Sequence, residues 1–256
     1  MIRLGTSGFS YQDWVGTVYP DDLPRWQWLS FYAIEFDTVE LNVTYYRLPE
    51  KKMVAGWVAR TPPGFSFSVK AHQSLTHDRT QPDFATFSKR LSPLVEAGKL
   101  ACVLAQFPYS FRPSSEARAY LAQMRAAWRD LPLVVEFRHA DWVSDSTFRQ
   151  LEELGIGYCC VDEPALKGLM PSLVRFTAPP AYVRFHGRNA AQWWNHDEAW
   201  QRYDYTYSRE ELQDWLPRLK QLEHQAPLTL VYANNHYRGQ SVDAMRKLKE
   251  LLVQSA

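Results

Sequence analysis

Residues 65–72 read FSFSVKAH, and their alternation decides the fold. Strand side chains point to opposite faces with period two. Phe65, Phe67 and Val69 therefore share one face, and Ser66, Ser68, Lys70 and His72 the other. An outer barrel face covered by helices must be apolar, so the polar set turns inward. Seven more runs read as strands: IRLGTSG from Ile2, TVELNVTYY from Thr38, ACVLAQF from Ala101, LVVEFRH from Leu133, GYCCVDEP from Gly157, AYVRFHG from Ala181 and LTLVYANN from Leu228. Their starts lie roughly 20 to 50 residues apart, the spacing of repeated βα units rather than of hairpins.

The segments between them carry helical periodicity. Ala117, Tyr120, Leu121, Met124 and Trp128 fall on one face, as do Leu212, Trp215, Leu216, Leu219 and Leu222. Ser208 and Glu211 have capping-box spacing, and Pro24 and Pro49 suit a first helical turn. Gly98 and Gly155 stand where a left-handed cap is wanted. Pro217 falls inside a helical run and predicts a kink. Eight units on 256 residues match the about 250 that a (β/α)8 barrel takes. The expectation is an α/β TIM barrel of parallel strands, one domain over residues 1–256, with long rim loops after strands 6 and 7.

Composition narrows the function. Hydrophobic residues at 46% supply a sizeable core, and a net charge of +1 draws the chain neither to nucleic acid nor to a membrane. Cys102, Cys159 and Cys160 sit in apolar runs without CxxC spacing and read as small buried hydrophobes. No run reaches the roughly 18 to 20 apolar residues of a membrane span. With no leader-like start before the first strand, a cytoplasmic location is expected.

Parity sorts the polar residues into a constellation. Glu40, Asn42 and Thr44 share a face, as do Glu136 and Arg138, and Tyr182, Arg184 and His186. Gln106, Asp162 and Asn234 fall near strand ends. Barrel enzymes place their sites at strand C-termini. Arginines there can grip an anion bidentately while a carboxylate or histidine moves protons. The assigned acid/base candidates are Glu136, Asp162, His186 and Glu40. The assigned binding residues are Asn42, Lys70, His77, Gln106, Arg138, Arg184, Arg188 and Asn234, with Trp14 and Tyr205 from an aromatic-rich rim. His72 and His236 lie nearby. The plainer reading is an interior salt-bridge network pairing Glu136 with Arg138 and Glu40 with Arg184. No HxH, HExxH, glycine-rich phosphate loop or GxSxG elbow occurs, so no metal or cofactor is assigned.

GTSGFSYQDWVG, TVELNVTYYRLP, FSFSVKAHQSLTH, QFP, VEFRHADW, YVRFHGR, YDYTYSREEL and YANNH, in that order, resemble the YecE-like family, domain of unknown function seventy-two. The resemblance runs from about residue 4 to about residue 245. It implies a (β/α)8 barrel and brings no settled activity. Recurring family positions fall on the polar residues assigned above. Phe9 stands where family members often have Trp, and Ala233 where an aromatic is usual.

The leading expectation is an enzyme using acid/base chemistry on a small anionic or sugar-like substrate at the C-terminal rim. A metal-dependent phosphodiesterase or nuclease is the runner-up, by likeness of fold to endonuclease IV, and the near-zero net charge argues against it. A non-catalytic ligand sensor is the third. The sequence assigns no oligomeric state.

Overall fold

A computed structural model describes residues 1–198 and 200–255. Its eight strands are β1 (Ile2–Thr6), β2 (Thr38–Leu41), β3 (Ser66–Lys70), β4 (Leu100–Gln106), β5 (Leu133–Glu136), β6 (Gly157–Asp162), β7 (Ala181–Phe185) and β8 (Thr229–Ala233). They form one parallel sheet in the order β1-β8-β7-β6-β5-β4-β3-β2. The seam between β1 and β2 is closed by a bridge from Ser7 to Glu40 and by Gly8 N–H donating to Glu40 O at 2.7 Å. The predicted TIM barrel is observed, and so are the long connections after β6 and β7.

Hydrophobic packing sits outside the barrel wall. Phe185 on β7 meets Trp215 at 5.0 Å and Tyr207 at 5.4 Å between ring centroids. Tyr158 on β6 meets Phe148 of helix Asp145–Leu154. Burying each such aromatic side chain contributes about 1.5–3 kcal/mol. The interior is polar. At its lower level Tyr232 OH lies 2.6 Å from Thr38 Oγ1 and 3.0 Å from Ser68 Oγ. These hydroxyls satisfy one another, which burial requires of them.

Three local expectations change. Only Thr38–Leu41 of the TVELNVTYY run is strand. Asn42 turns into the right-handed helical region, and Val43–Tyr46 forms a helical turn in which Thr44 Oγ1 donates to Leu41 O and Lys70 O. The run with Pro217 is two helices, Arg209–Gln213 and Leu216–Gln225. Pro217 therefore sits in a first turn, where its missing N–H costs nothing. His72 pairs locally with Ser74 rather than facing the barrel mouth. The Ser208–Glu211 capping box and the left-handed Gly98 and Gly155 are present. The three cysteines are free and buried.

Candidate functional site

Arg184, fully buried on β7, reaches across the interior to two strands that are not its neighbours. Its guanidinium donates to Glu136 Oε2 on β5 at 2.6 Å and to Glu40 Oε1 on β2 at 2.7 Å. Tyr182 OH donates to the other oxygen of Glu40 at 2.7 Å. Glu136 Oε1 also lies 3.1 Å from His186 Nε2 and 3.2 Å from Arg138 Nε. Asn234 lies 3.2 Å from Arg184 and 3.2 Å from His186 Nδ1. Burial pushes the Glu136 carboxyl up, but Arg184, Arg138 and His186 outweigh it and hold the group well below the usual carboxylate range. Burial and then Arg138 lower His186 to about 3, leaving a neutral ring.

Above this layer the barrel opens into a cavity of ≈ 180 Å³, lined by Tyr11, Asn42, Tyr46, Lys70, Gln106, Arg138, Arg184, Tyr203, Asn234 and His236. It shares Tyr46, Lys70, Gln106, Arg138 and Tyr203 with an outer mouth of ≈ 290 Å³. The mouth adds Tyr45, His77, Tyr109, Trp193, Trp194 and Arg202 among its walls. Among the described residues neither cavity has a carboxylate in its lining. The acids stand behind the arginines: Glu136 behind both, Glu40 behind Arg184, and Glu163 behind Arg138 at 2.9 Å. Burial raises Glu163 to about 7 against the pull of Arg138.

Lys70 closes β3 and faces this space. Among the described residues its Nζ has no hydrogen-bond or ion-pair partner, and it lies 4.3 Å from the centre of the Tyr45 ring. Burial, followed by the nearby Arg184, lowers its pKa to about 7. His77, edge-on to Tyr45, falls to about 4 through burial and the adjacent Lys70. Asn42 Oδ1 is buried without a hydrogen-bond partner among the described residues. An apolar groove of ≈ 800 Å³ around Phe9, Trp26, Met53 and Trp57 adjoins the cavity through Tyr11, Asn42 and Tyr46. A separate ≈ 540 Å³ hollow at the opposite end of the barrel, around Ile2, Phe36 and Leu252, holds none of the assigned site residues.

The structure thus brings together Asn42, Lys70, His77, Gln106, Arg138, Arg184 and Asn234 on the cavity walls, with Glu40, Glu136 and His186 directly behind them. Four assigned residues lie elsewhere. Asp162 is on the outer side of β6, where Arg188 donates to it twice, at 2.8 and 2.7 Å, Tyr207 OH at 2.7 Å and Trp215 Nε1 at 2.8 Å. Arg188 is held there by Asp162 and Glu211 and does not converge with Lys70. Trp14 is fully buried and donates to His236 O. Tyr205 donates to Glu211 at 2.6 Å and pins the loop after β7. The sequence reading missed Glu163, Tyr45, Tyr46, Tyr109 and Arg202. Tyr45 and Tyr46 were hidden by reading their helical turn as strand, and nothing local marks Arg202. Among the described residues no three His, Cys, Asp or Glu side chains gather in a way that could hold a metal ion.

The family model described as a protein of unknown function, DUF72, matches residues 3–256. The chain belongs to the DUF72 family. The UPF0759 protein YunF of Bacillus subtilis (strain 168) is 33% identical to it over 98% of this chain and 95% of its own. A crystal structure of a DUF72 family protein from Thermotoga maritima MSB8 matches with a TM-score of 0.91 at 39% identity, covering 99% of both chains. Another, from Enterococcus faecalis V583, matches with a TM-score of 0.88 at 29% identity over 99% of this chain and 96% of that one. The motif resemblance and the barrel it implies hold for this DUF72 chain along nearly its whole length.

Proposed function

We propose that this DUF72 protein is an enzyme that moves a proton on a small anionic or sugar-like substrate held at the barrel mouth, with Lys70 as the acid/base group. The unpartnered Lys70 amine carries the reading. A pKa of about 7 lies near working pH, where a general base is most effective. A perturbed lysine facing a cleft is a candidate for chemistry. The carboxylate-free lining with Lys70, Arg138 and Arg202 favours an anion, and Tyr45, Tyr46, Trp193 and Tyr203 offer faces for a ring. Glu136, Glu40 and His186 then position the arginines rather than transfer the proton. Glu136 is committed to Arg184, Arg138, His186 and the Cys159 thiol, and His186 is completely enclosed.

Lys70→Met tests this. Among the described residues Lys70 Nζ has no hydrogen-bond or ion-pair partner, only the Tyr45 ring beside it, so the variant should fold and melt at or above the wild-type temperature while losing turnover of any substrate found in a screen of small carboxylates, phosphates and sugar acids. The stability gain has a pH signature. Between about 7 and 10.5 the unfolded chain carries a proton on Lys70 that the folded chain lacks, so wild-type stability rises with pH across that window. The advantage of Lys70→Met over wild type should therefore be largest below pH 7 and shrink towards pH 10. The wild-type rate should climb as pH passes about 7 and Lys70 becomes neutral. Turnover preserved in Lys70→Met would remove it from the chemistry.

A further inference from the structure

The protein also shows how it buries a lysine for structure. Lys99 Nζ donates to Val58 O at 3.0 Å, Thr61 O at 2.7 Å and Thr61 Oγ1 at 2.8 Å. All three ammonium protons have acceptors, although burial lowers the pKa of this lysine as well. Lys70 has none of this. The groups facing it are Arg184, Arg138, Glu136 and Glu40 from the barrel, with Tyr45 and His77 from the rim. Both carboxylates are already taken by the two arginines. Such a setting selects the neutral amine, whose lone pair is free to react.

Resting on the proposed enzymatic reading, we propose that Lys70 works covalently, as the nucleophile that forms an imine with a small aldehyde or ketone carrying a carboxylate or phosphate. The Nζ lone pair attacks the carbonyl carbon, a C–N bond forms, and the C=O π pair moves to oxygen. A proton passes from nitrogen to that oxygen, giving a carbinolamine. The nitrogen then expels the hydroxyl, which leaves as water with the second amine proton, and a C=N bond remains. One water is released, and no oxidant or reductant is needed. Asn42 lines the same cavity, and its buried Oδ1 has no hydrogen-bond partner among the described residues. The anionic requirement follows from charge. When that imine takes up a proton it becomes a cationic iminium near Arg184 and Arg138, and a substrate anion supplies the counter-charge it needs. Arg138 and Arg202 line the adjoining mouth where that anion would sit.

Reductive trapping tests the proposal. The full chain is incubated with cyanoborohydride and, separately, glyoxylate, pyruvate or glycolaldehyde phosphate, and the adducts are mapped by peptide mass spectrometry. At neutral pH a lysine with so depressed a pKa has a neutral fraction roughly 10³-fold above a surface lysine. Lys70 should therefore label at least about tenfold faster than any other lysine with one or more probes. The label should be absent from Lys70→Arg, which carries a guanidinium and no amine nucleophile. Labelling spread evenly over surface lysines with all three probes overturns the imine. If Lys70→Met abolishes turnover while no adduct forms at Lys70, the covalent step fails and the proton-transfer reading stands. If Lys70 traps selectively while its removal spares turnover, the amine is reactive but takes no part in the reaction, and both the proton-transfer and the covalent role fail.

Discussion

Glu136 shows why a residue's face and its role are separate questions. Parity along LVVEFRH sets it on the polar face with Arg138, and the two are indeed 3.2 Å apart. The pairing of Glu40 with Arg184 is equally legible, at 2.7 Å. Parity carries no information on depth, however. It cannot tell that Glu136 lies beneath the arginines while Lys70, on another inward face, lines the cavity with no hydrogen-bond or ion-pair partner among the described residues. The structural role makes a sharp prediction. Glu136→Gln would turn an amide N–H2 towards Arg184, Arg138 or His186 and leave buried guanidinium charge uncompensated. Breaking a buried pair this way costs roughly 3–5 kcal/mol, so denaturant unfolding should show a loss of that order. A Glu136→Gln protein as stable as wild type but without turnover would return the carboxylate to the chemistry.

At the scale of elements, β6 is where the sequence reading and the structure diverge, and the reason is arithmetic. Cys159 faces inward, its Sγ 3.9 Å from Glu136. Asp162 is three residues on, an odd offset, so it must face out. Proximity to the strand's C-terminal end was read as proximity to the mouth. What Asp162 does instead is fasten β6 to the loop after β7 through Arg188 and Tyr207, and to the helix junction through Trp215. That junction is also where the helical run breaks and Pro217 begins a new helix. The helix break was not legible, because the apolar periodicity of Leu212, Trp215, Leu219 and Leu222 continues through it. Asp162→Asn keeps one acceptor oxygen and loses charge-assisted bonds worth about 1.5–3 kcal/mol each. The variant should melt lower than wild type, while the probes of the barrel mouth bind with unchanged affinity by calorimetry. Affinity lost without any drop in melting temperature would place Asp162 in ligand recognition after all.

The barrel as a whole depends on one narrow approach. Seven of the eight strand pairs are joined by registered ladders, whereas β1 and β2 meet through the isolated Ser7–Glu40 bridge and the Gly8 N–H bond to Glu40 O beside it. Gly5 is what lets them come so close. A Cβ there would lie 2.3 Å from Thr38 O and 3.1 Å from Tyr232 Cε1. The first obstacle is backbone and cannot rotate away, so any side chain must push β2 outward. Overpacking of this kind costs about 1–3 kcal/mol, occasionally more. The displacement would not stay local. Glu40 sits on β2 two residues beyond Thr38, and it holds one arm of Arg184, whose guanidinium forms a wall of the inner cavity. Tyr232, wedged by the same Cβ, anchors the hydroxyl cluster below. Gly5→Ala should therefore lower the melting temperature and the labelling of Lys70 together, whereas Lys70→Met separates stability from function. Circular dichroism melting and the rate of reductive trapping, measured on the same preparations, check both arms. If Gly5→Ala melts with wild type, β1 and β2 stand further apart than this geometry requires. If it is destabilised but Lys70 still traps at the wild-type rate, the seam closes the barrel without shaping the site.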